Sequence, residues 1–520
     1  MMGFHQNLHG QSRWINLYFG NENTQGEDMK EYYDNGYLLT GKHGSGYVQF
    51  LWLIKTNVNG QVLWEKTFGE PNSLLSFYFM DVNRLGEIYL SGATSYYDPY
   101  RDPIIMKLNA CGEKEWCRVF NIPNHFDYAH SIVATDDGGC AVILRYTGVP
   151  PPPQTDRICL ARFAPEGNLL WKQCYNSTDT NIVNEDSRNL LITPDSGFLI
   201  TATCGYLDVD STQMYWPKQY FIKTDSFGNF EWETVVHSDN NLAGGDAWTT
   251  TLNPDSSYYY SSVSHYYFET NFSSPALIKL DLEGNVIAIY DIVIGYINGG
   301  LTYAQFINDS TLAASCVYGN SQNNIVTLSV IIDTTGNIIN SINLGPNIQD
   351  KVLELTYDKK LLYFYDVLQN DQFNIYLRKM NQNLEDDTIY TMPFTYDSLC
   401  PYQILSDTIV QDDCGLIVGI EEEDKTVGKY DGKMGGMEVW PNPCREMLNV
   451  ECLMLNEGKD YNLSIYDIFG RLAPIPSPSP TRGKGDSWVI DVSALPPGIY
   501  LAVLREGLSI LTSTKFIIAR

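Results

Sequence analysis

Basic residues are scarce in this chain: 34 Lys and Arg stand against 62 Asp and Glu, a net charge of −28 over 520 residues. Nucleic-acid binding needs clustered Lys and Arg to release phosphate counterions, and docking on anionic lipid needs them too, so neither is expected. Long apolar runs are also absent. Nothing approaches the ~18 residues of a membrane helix, so no transmembrane segment is expected. No segment repeats its apolar residues at the 3.6-residue helical spacing, so helices should be nearly absent. Histidines number seven. His125, Asp127 and His130 stand close together, but in a loop entering a strand, where polar residues are ordinary, and no metal is assigned. There is no Gly-x-Ser-x-Gly elbow, no His-Glu-x-x-His and no phosphate-cradling glycine loop, so no catalytic residue and no cofactor are assigned. Paired carboxylates for glycoside chemistry would come from different parts of the chain and leave no sequence mark. The eleven cysteines show no Cys-x-x-Cys. Cys111 and Cys117 flank one hairpin turn, and Cys444 and Cys452 lie near a later strand; either pair can bridge, and the odd total leaves a free thiol.

Between residues 27 and 420 one phrase recurs, clearest in Leu53-Ile-Lys-Thr-Asn-Val-Asn-Gly-Gln-Val-Leu-Trp64. Its turn position falls at Gly60, Gly112, Gly167, Gly228, Gly284 and Gly336, with Asn383 as a degenerate seventh. Five residues upstream stand Lys55, Lys107, Arg162, Lys223, Lys279, Ile331 and Arg378; four downstream stand Trp64, Trp116, Trp171, Trp232, Ala288, Asn340 and Asp387. A turn and strand precede each copy, as in Asp34-Asn-Gly-Tyr-Leu-Leu-Thr-Gly41, and another short strand precedes that. Four strands joined by tight turns, at a period of roughly 47–61 residues, make one β-propeller blade. The repeated tryptophan is expected to fill the wedge between blades, and the repeated base to meet an acid or carbonyl on a neighbouring strand.

The ends suggest closure. Arg13–Gly20 reads as an orphan last strand; Tyr402–Ile409 and Cys414–Ile420 read as orphan first and second strands. Joined in one composite blade they would pair exposed sheet edges. Whole phrases count seven blades; the composite remainder would make eight. The fold class expected is therefore all-β: a propeller of seven repeats and seven or eight blades, followed by a small C-terminal β-sandwich.

A rigid ring positions its loops, so any ligand site should lie there. Tyr96, Tyr97 and Tyr100 occupy one loop, and Tyr206, Tyr215 and Trp216 another, amid polar residues suited to stacking on sugar rings. Between them Pro150–Pro153 form a stiff polyproline arm.

The last eighty or so residues read as short β-rich runs bounded by turn residues: Leu448–Cys452, Tyr461–Asp467, Trp488–Val492, Tyr500–Arg505 and Ser513–Ile518. Four pieces stand in order: Pro441-Asn442-Pro443; Asp467 with Gly470-Arg471; Leu495 with Gly498-Ile499-Tyr500; and a basic, apolar final strand with Lys515. This succession resembles the type A C-terminal sorting domain of proteins exported by the type IX secretion system of Bacteroidetes. The resemblance implies recognition by that machinery, removal of the tail, and attachment to the outer surface or release. The body's repeats resemble the propeller-like repeats of Bacteroidetes surface proteins, a likeness of style that implies no activity.

Met1–Trp14 has no basic segment, apolar core or small-residue cleavage site of a signal peptide; a start assigned downstream of the true one is the expectation, with a trimmed chain or a chain that is not exported as the alternatives. The division expected is 1–420 propeller, 421–436 charged and glycine-rich linker, and 437–520 sorting domain. The propeller is expected to bind glycan or protein as an adhesion module; a polysaccharide lyase or glycoside hydrolase built on the same ring is the alternative.

Overall fold

A computed structural model describes residues 14–18, 24–45, 48–69, 75–97, 100–120, 126–147, 156–175, 177, 179–208, 211–237, 243–267, 272–292, 299–319, 325–369, 372–417, 437–440, 444–445, 447–452, 461–467, 473, 486–506 and 509–518. Among them there is no helix. The chain divides into two compact units, taken separately below.

Each repeat folds into an antiparallel four-stranded sheet. The innermost strands are Thr24–Glu31, Leu75–Val82, Tyr128–Ala134, Ile182–Ile192, Ala247–Leu252, Gly299–Asn308 and Ile348–Leu355, in blades 1 to 7. Each meets the next, and the seventh meets the first, so the ring is a closed seven-bladed propeller. Blade 7 has only three strands of its own; its outermost is Ile15–Tyr18, paired antiparallel to Gln372–Met380. The N-terminal orphan thus completes the last repeat.

The C-terminal orphans do something other than build an eighth blade. Asp407–Ile409 pairs parallel with Val62–Phe68 of blade 1, and Gly415–Ile417 pairs parallel with Lys114–Phe120 of blade 2. They are fifth strands on the rims of two finished blades, because the N-terminal strand already fills the vacancy in blade 7. The segment leading to them is a strap. Tyr390 Oη donates to Asp387 Oδ2 (2.8 Å) of blade 7, and the Tyr390 amide donates to Asn59 Oδ1 (2.8 Å) of blade 1. The Leu399 amide donates to Tyr33 Oη (3.1 Å), and Tyr402 Oη donates to Glu113 Oε1 (2.6 Å) of blade 2. Disulfides Cys111–Cys400 and Cys117–Cys414 fix the strap to blade 2, and Cys159–Cys174 links two strands of blade 3. The pairing of Cys111 with Cys117 read from proximity is therefore replaced by two long-range bridges. Cys444 is a buried free thiol, and Cys452's side chain lies outside the described set.

The turn chemistry explains the repeat. Gly60 adopts φ +74° and Gly112 φ +68°, left-handed positions that glycine takes without strain. In blade 7 the left-handed residue is Leu384, φ +64°, with its amide donating to the Asn381 carbonyl (3.0 Å) as Gly60 does to Asn57 (2.9 Å). The turn lies one residue beyond Asn383, so the base of that repeat is Lys379 and not Arg378. Lys379 Nζ lies 3.0 Å from Asp358 Oδ2 in the turn before the second strand. The same pair recurs as Lys55 with Asp34 and Lys223 with Asp195 (2.8 Å), while Lys107 meets Glu87 (2.7 Å). Lys279 instead lies 3.6 Å from the Tyr258 ring centre. Lys55 is fully buried, and burial lowers its pKa. Removing one partner of a buried ion pair strands the other, so Asp34→Ala should cost about 3–5 kcal/mol in equilibrium denaturation. A loss below about 1 kcal/mol would show that the Lys55 ammonium finds another partner.

The tryptophans sit on the next blade's turn. A Cβ on Gly284 would come within 2.5 Å of the Trp232 ring, and Trp232 Nε1 donates to the Leu282 carbonyl (3.1 Å). Trp14 does the same for blade 7, donating Nε1 to the Val58 carbonyl (3.1 Å) of blade 1.

The second unit has two three-stranded sheets, ordered Met437–Trp440, Met447–Cys452, Asp486–Asp491 and Tyr461–Asp467, Gly498–Glu506, Ser509–Ile518. Leu448, Val450, Leu463, Ile465, Trp488, Ile490, Leu504 and Phe516 share one core. Leu463 and Ile465 are buried while Asn462 is exposed, as strand alternation requires.

Candidate functional site

In blades 2 to 5, residues of the inner strands and of the strands beside them form an arc. Exposed Arg101 donates Nη1 to Tyr78 Oη (3.4 Å), and the Tyr78 ring meets Tyr128 edge-on at 6.0 Å. Arg145 donates to Tyr128 Oη and pairs with Asp186 Oδ1 and Asp156 Oδ2, both at 2.6 Å. Arg188 Nη2 pairs with Asp186 Oδ2 (2.7 Å), and its guanidinium lies 4.9 Å from the Trp248 ring centre. Tyr78, Tyr128, Arg145, Asp186, Arg188 and Trp248 are all half-buried. Burial opposes the Arg145 charge, yet Asp186, Tyr128 and Asp156 raise its pKa. His130, 4.5 Å from Phe79, is held neutral: burial, then Arg188 and Arg145, lower its pKa to about 3. The charges of Arg145, Arg188, Asp156 and Asp186 are matched among themselves, so this part of the arc is a preorganised polar and aromatic surface.

A second group lies nearer the ends of the inner strands, in blades 7, 1 and 2. Asp28 Oδ2 accepts the Met80 amide (2.7 Å), Asp81 Oδ2 the Ala134 amide (2.7 Å) and Glu354 Oε2 the Glu31 amide (3.3 Å). Each carboxylate therefore satisfies an inner-strand amide on the following blade, where no strand pairs. Elsewhere the same job falls to neutral groups: Ser131 accepts from Leu190 (3.1 Å), Asn189 from Thr250 (3.2 Å) and Gln305 from Leu355 (2.7 Å). Burial raises Asp28 to about 6, Glu354 to about 7 and Glu31 to about 8, while Lys30 favours the charged form of the first two. Burial opposes the charge of Lys30 as well, yet Glu354, Asp81 and Asp28 together raise its pKa.

A carboxylate with a raised folded pKa binds its proton more tightly in the native state. Its stabilisation is complete below the unfolded pKa and is lost as pH rises through the folded value. Stability should therefore climb as pH falls from about 9 to about 6.5. Below that His130, whose lowered pKa works the other way, offsets the gain. Denaturation midpoints across this range should rise on acidification, and Glu354→Gln with Glu31→Gln should flatten the rise; an unchanged slope would remove these residues as its source.

The two loop groups lie in different blades, Tyr96, Tyr97 and Tyr100 in blade 2 and Tyr206 and Trp216 in blade 4; within the first, Tyr96 and Tyr97 meet edge-on at 4.9 Å. Tyr97 Oη donates to the Gln411 carbonyl (2.6 Å) and accepts the Cys414 amide (3.1 Å), fastening the strap; Tyr96 is exposed beside it. Tyr100 packs edge-on against Phe126 at 5.1 Å. Tyr206 is buried and donates to Asp179 Oδ2 (2.7 Å), while half-buried Trp216 stands opposite it across the strand pair. Tyr215's side chain, the prolines 150–153 and His125 lie outside the described residues. Asp127 is near His130 in sequence, but its Oδ1 accepts the Thr147 amide (2.7 Å). Among the described residues one cluster has metal-ligand spacing, Cys117, Asp413 and Cys414, and its two cysteines are joined in a disulfide. The arc itself escaped the loop-based reading. Its trace was the i, i+2 pairing of Tyr128 with His130 and of Asp186 with Arg188 at equivalent inner-strand positions.

In the second unit Asp467 stands opposite Tyr500, and Gly498 opposite Ile518. Tyr500 is buried against Phe516 at 5.8 Å and donates Oη to the Pro496 carbonyl (3.0 Å); Leu495 is in the core. Lys515 lies opposite Leu501 on the final strand, its side chain outside the described set. Pro441, Asn442, Pro443, Gly470 and Arg471 are outside it too.

No curated protein matches the chain significantly. Among solved structures it is similar to the Dos1 propeller, at 11% identity over 73% of this chain and 98% of that one, TM-score 0.39. It is also similar to a periplasmic gluconolactonase of Pseudomonas aeruginosa, PpgL, at 11% identity over 68% and 98%, TM-score 0.42. Polysaccharide lyase Uly1 aligns at 10% identity over 69% and 90%, TM-score 0.44. None of these likenesses carries an activity to this chain. No described helix is long and apolar enough to cross a membrane. Residues 438–519 match the secretion system C-terminal sorting domain, so this is a protein of the outer cell surface or the surroundings, addressed through the type IX secretion system.

Proposed function

We propose that the propeller is the exported cargo and serves as a binding or adhesion module for an extracellular glycan or protein, recognised at the arc of blades 2 to 5. The observation that carries this reading is the mutual pairing of the charges of Arg145, Arg188, Asp156 and Asp186 beside half-buried Tyr128 and Trp248. A fixed fork of guanidinium donors next to aromatic faces recognises a ligand without offering a free base or nucleophile. Arg188→Gln and Trp248→Ala should each weaken ligand binding about tenfold with an unchanged melting profile. Binding at full strength by both variants would remove the arc as the recognition surface.

The second reading, a lyase or hydrolase, is favoured by one feature: Asp28, Asp81 and Glu354 gather around Lys30. Release of shortened or unsaturated sugars by the wild type, lost in Glu354→Gln, would establish it. The division into 1–420, 421–436 and 437–520 stands as part of this proposal; 421–436 lies outside the described residues.

A further inference from the structure

The connection from the outer strand of blade 6, Ile338–Pro346, to the inner strand of blade 7, Ile348–Leu355, is the single residue Asn347. By contrast, residues 69–74 connect blades 1 and 2, and 121–127 connect blades 2 and 3. The short crossing is possible because Gly345 takes φ +134° and Asn347 φ +58°. With only one residue to bridge the junction, a notch of about 300 Å³ is left there. That size suits a small ligand.

The notch is built from two kinds of group. Tyr365 and Tyr376 stack at 5.6 Å with planes 11° apart, Tyr365 buried and Tyr376 half-buried, and Ile348 and Val367 extend the apolar wall. Asn347 and Gln369 stand exposed at the rim with side-chain amides. The floor is tied by the Leu368 amide donating to the Asn347 carbonyl (3.1 Å). No lining residue is charged, in a chain whose net charge is −28.

We propose that this notch is a subsite for one neutral sugar residue, a site separate from the arc. A pyranose has an apolar C–H face for the tyrosine wall and hydroxyls that both donate and accept, as side-chain amides do. An acidic sugar would find no cation in the lining. The proposal deepens the binding-module reading and rests on it.

The full chain is titrated calorimetrically with neutral hexasaccharides of glucose, mannose and N-acetylglucosamine, and with hexagalacturonate. At least one neutral sugar should bind. Tyr376→Ala should weaken it about tenfold or more, and Tyr376→Phe, which keeps the ring, by less than about threefold. Asn347→Gly keeps the left-handed backbone while deleting the amide, and should weaken binding about threefold or more. Full-strength binding by a folded Tyr376→Ala chain would overturn the proposal, as would binding of hexagalacturonate alone or of no sugar. Loss on Arg188→Gln with retention in Tyr376→Ala would remove the notch and leave the arc reading standing. If no sugar and no protein ligand binds, the binding-module reading falls with it.

Discussion

A chain lacking residues 1–18 should lose the closed ring, giving low soluble yield and self-association by light scattering. The N-terminal strand has only four residues, but together with Trp14 before it the segment carries three inter-blade bonds. Trp14 donates to the Val58 carbonyl (3.1 Å), Asn16 to the Asn59 carbonyl (2.9 Å) and Tyr18 to the Gly60 carbonyl (2.6 Å). Trp14 is 1% exposed, edge-on to Tyr37 at 5.9 Å. Without the strand, Gln372–Met380 is left as an unpaired edge that invites pairing with another chain. The milder Trp14→Ala should keep the register and cost about 3–5 kcal/mol from the cavity alone. A soluble, monomeric truncated chain with the wild-type denaturation midpoint would mean that the strap closes the ring unaided.

Deleting Lys515–Arg520 should hold the protein in the periplasm. The final strand is an edge strand whose Phe516 and Ile518 are almost wholly buried, and Ile518 also bridges Cys444. Losing it removes the partner of Gly498–Leu501, the backbone that brings Tyr500 opposite Asp467. The surface that the export machinery reads would then lose its shape along with two core side chains. Fractionation of the native host should find the shortened chain inside the outer membrane and the full chain outside. Normal appearance of the shortened chain outside would contradict the assignment of export to this module.

Much of the ring was legible because its signals are local. A left-handed turn needs glycine, so Gly60, Gly112 and Gly284 mark blades; where Leu384 takes φ +64° the mark fails, and the seventh repeat reads one residue out of place. The Trp14 strand was legible as an orphan because it repeats the Trp64 pattern. The destination of the other orphans was not. Asp407–Ile409 and Gly415–Ile417 look like any short strands, and only a ring already complete forces them to pair parallel on its rim. The disulfides escaped for the same reason: Cys111 and Cys400 are 289 positions apart, and proximity in sequence favoured Cys117. Aromatic loops drew attention as ligand sites, yet Tyr97 and Tyr206 have hydroxyls committed within the chain. The arc lies on strands, where polar residues from four blades converge only when the ring closes.

The most direct test is peptide mapping of the secreted protein without reduction. Closure by strap and N-terminal strand, in a compartment that oxidises thiols, predicts peptides linked through Cys111–Cys400 and Cys117–Cys414. A Cys111–Cys117 link, or free thiols at all four positions, would contradict it.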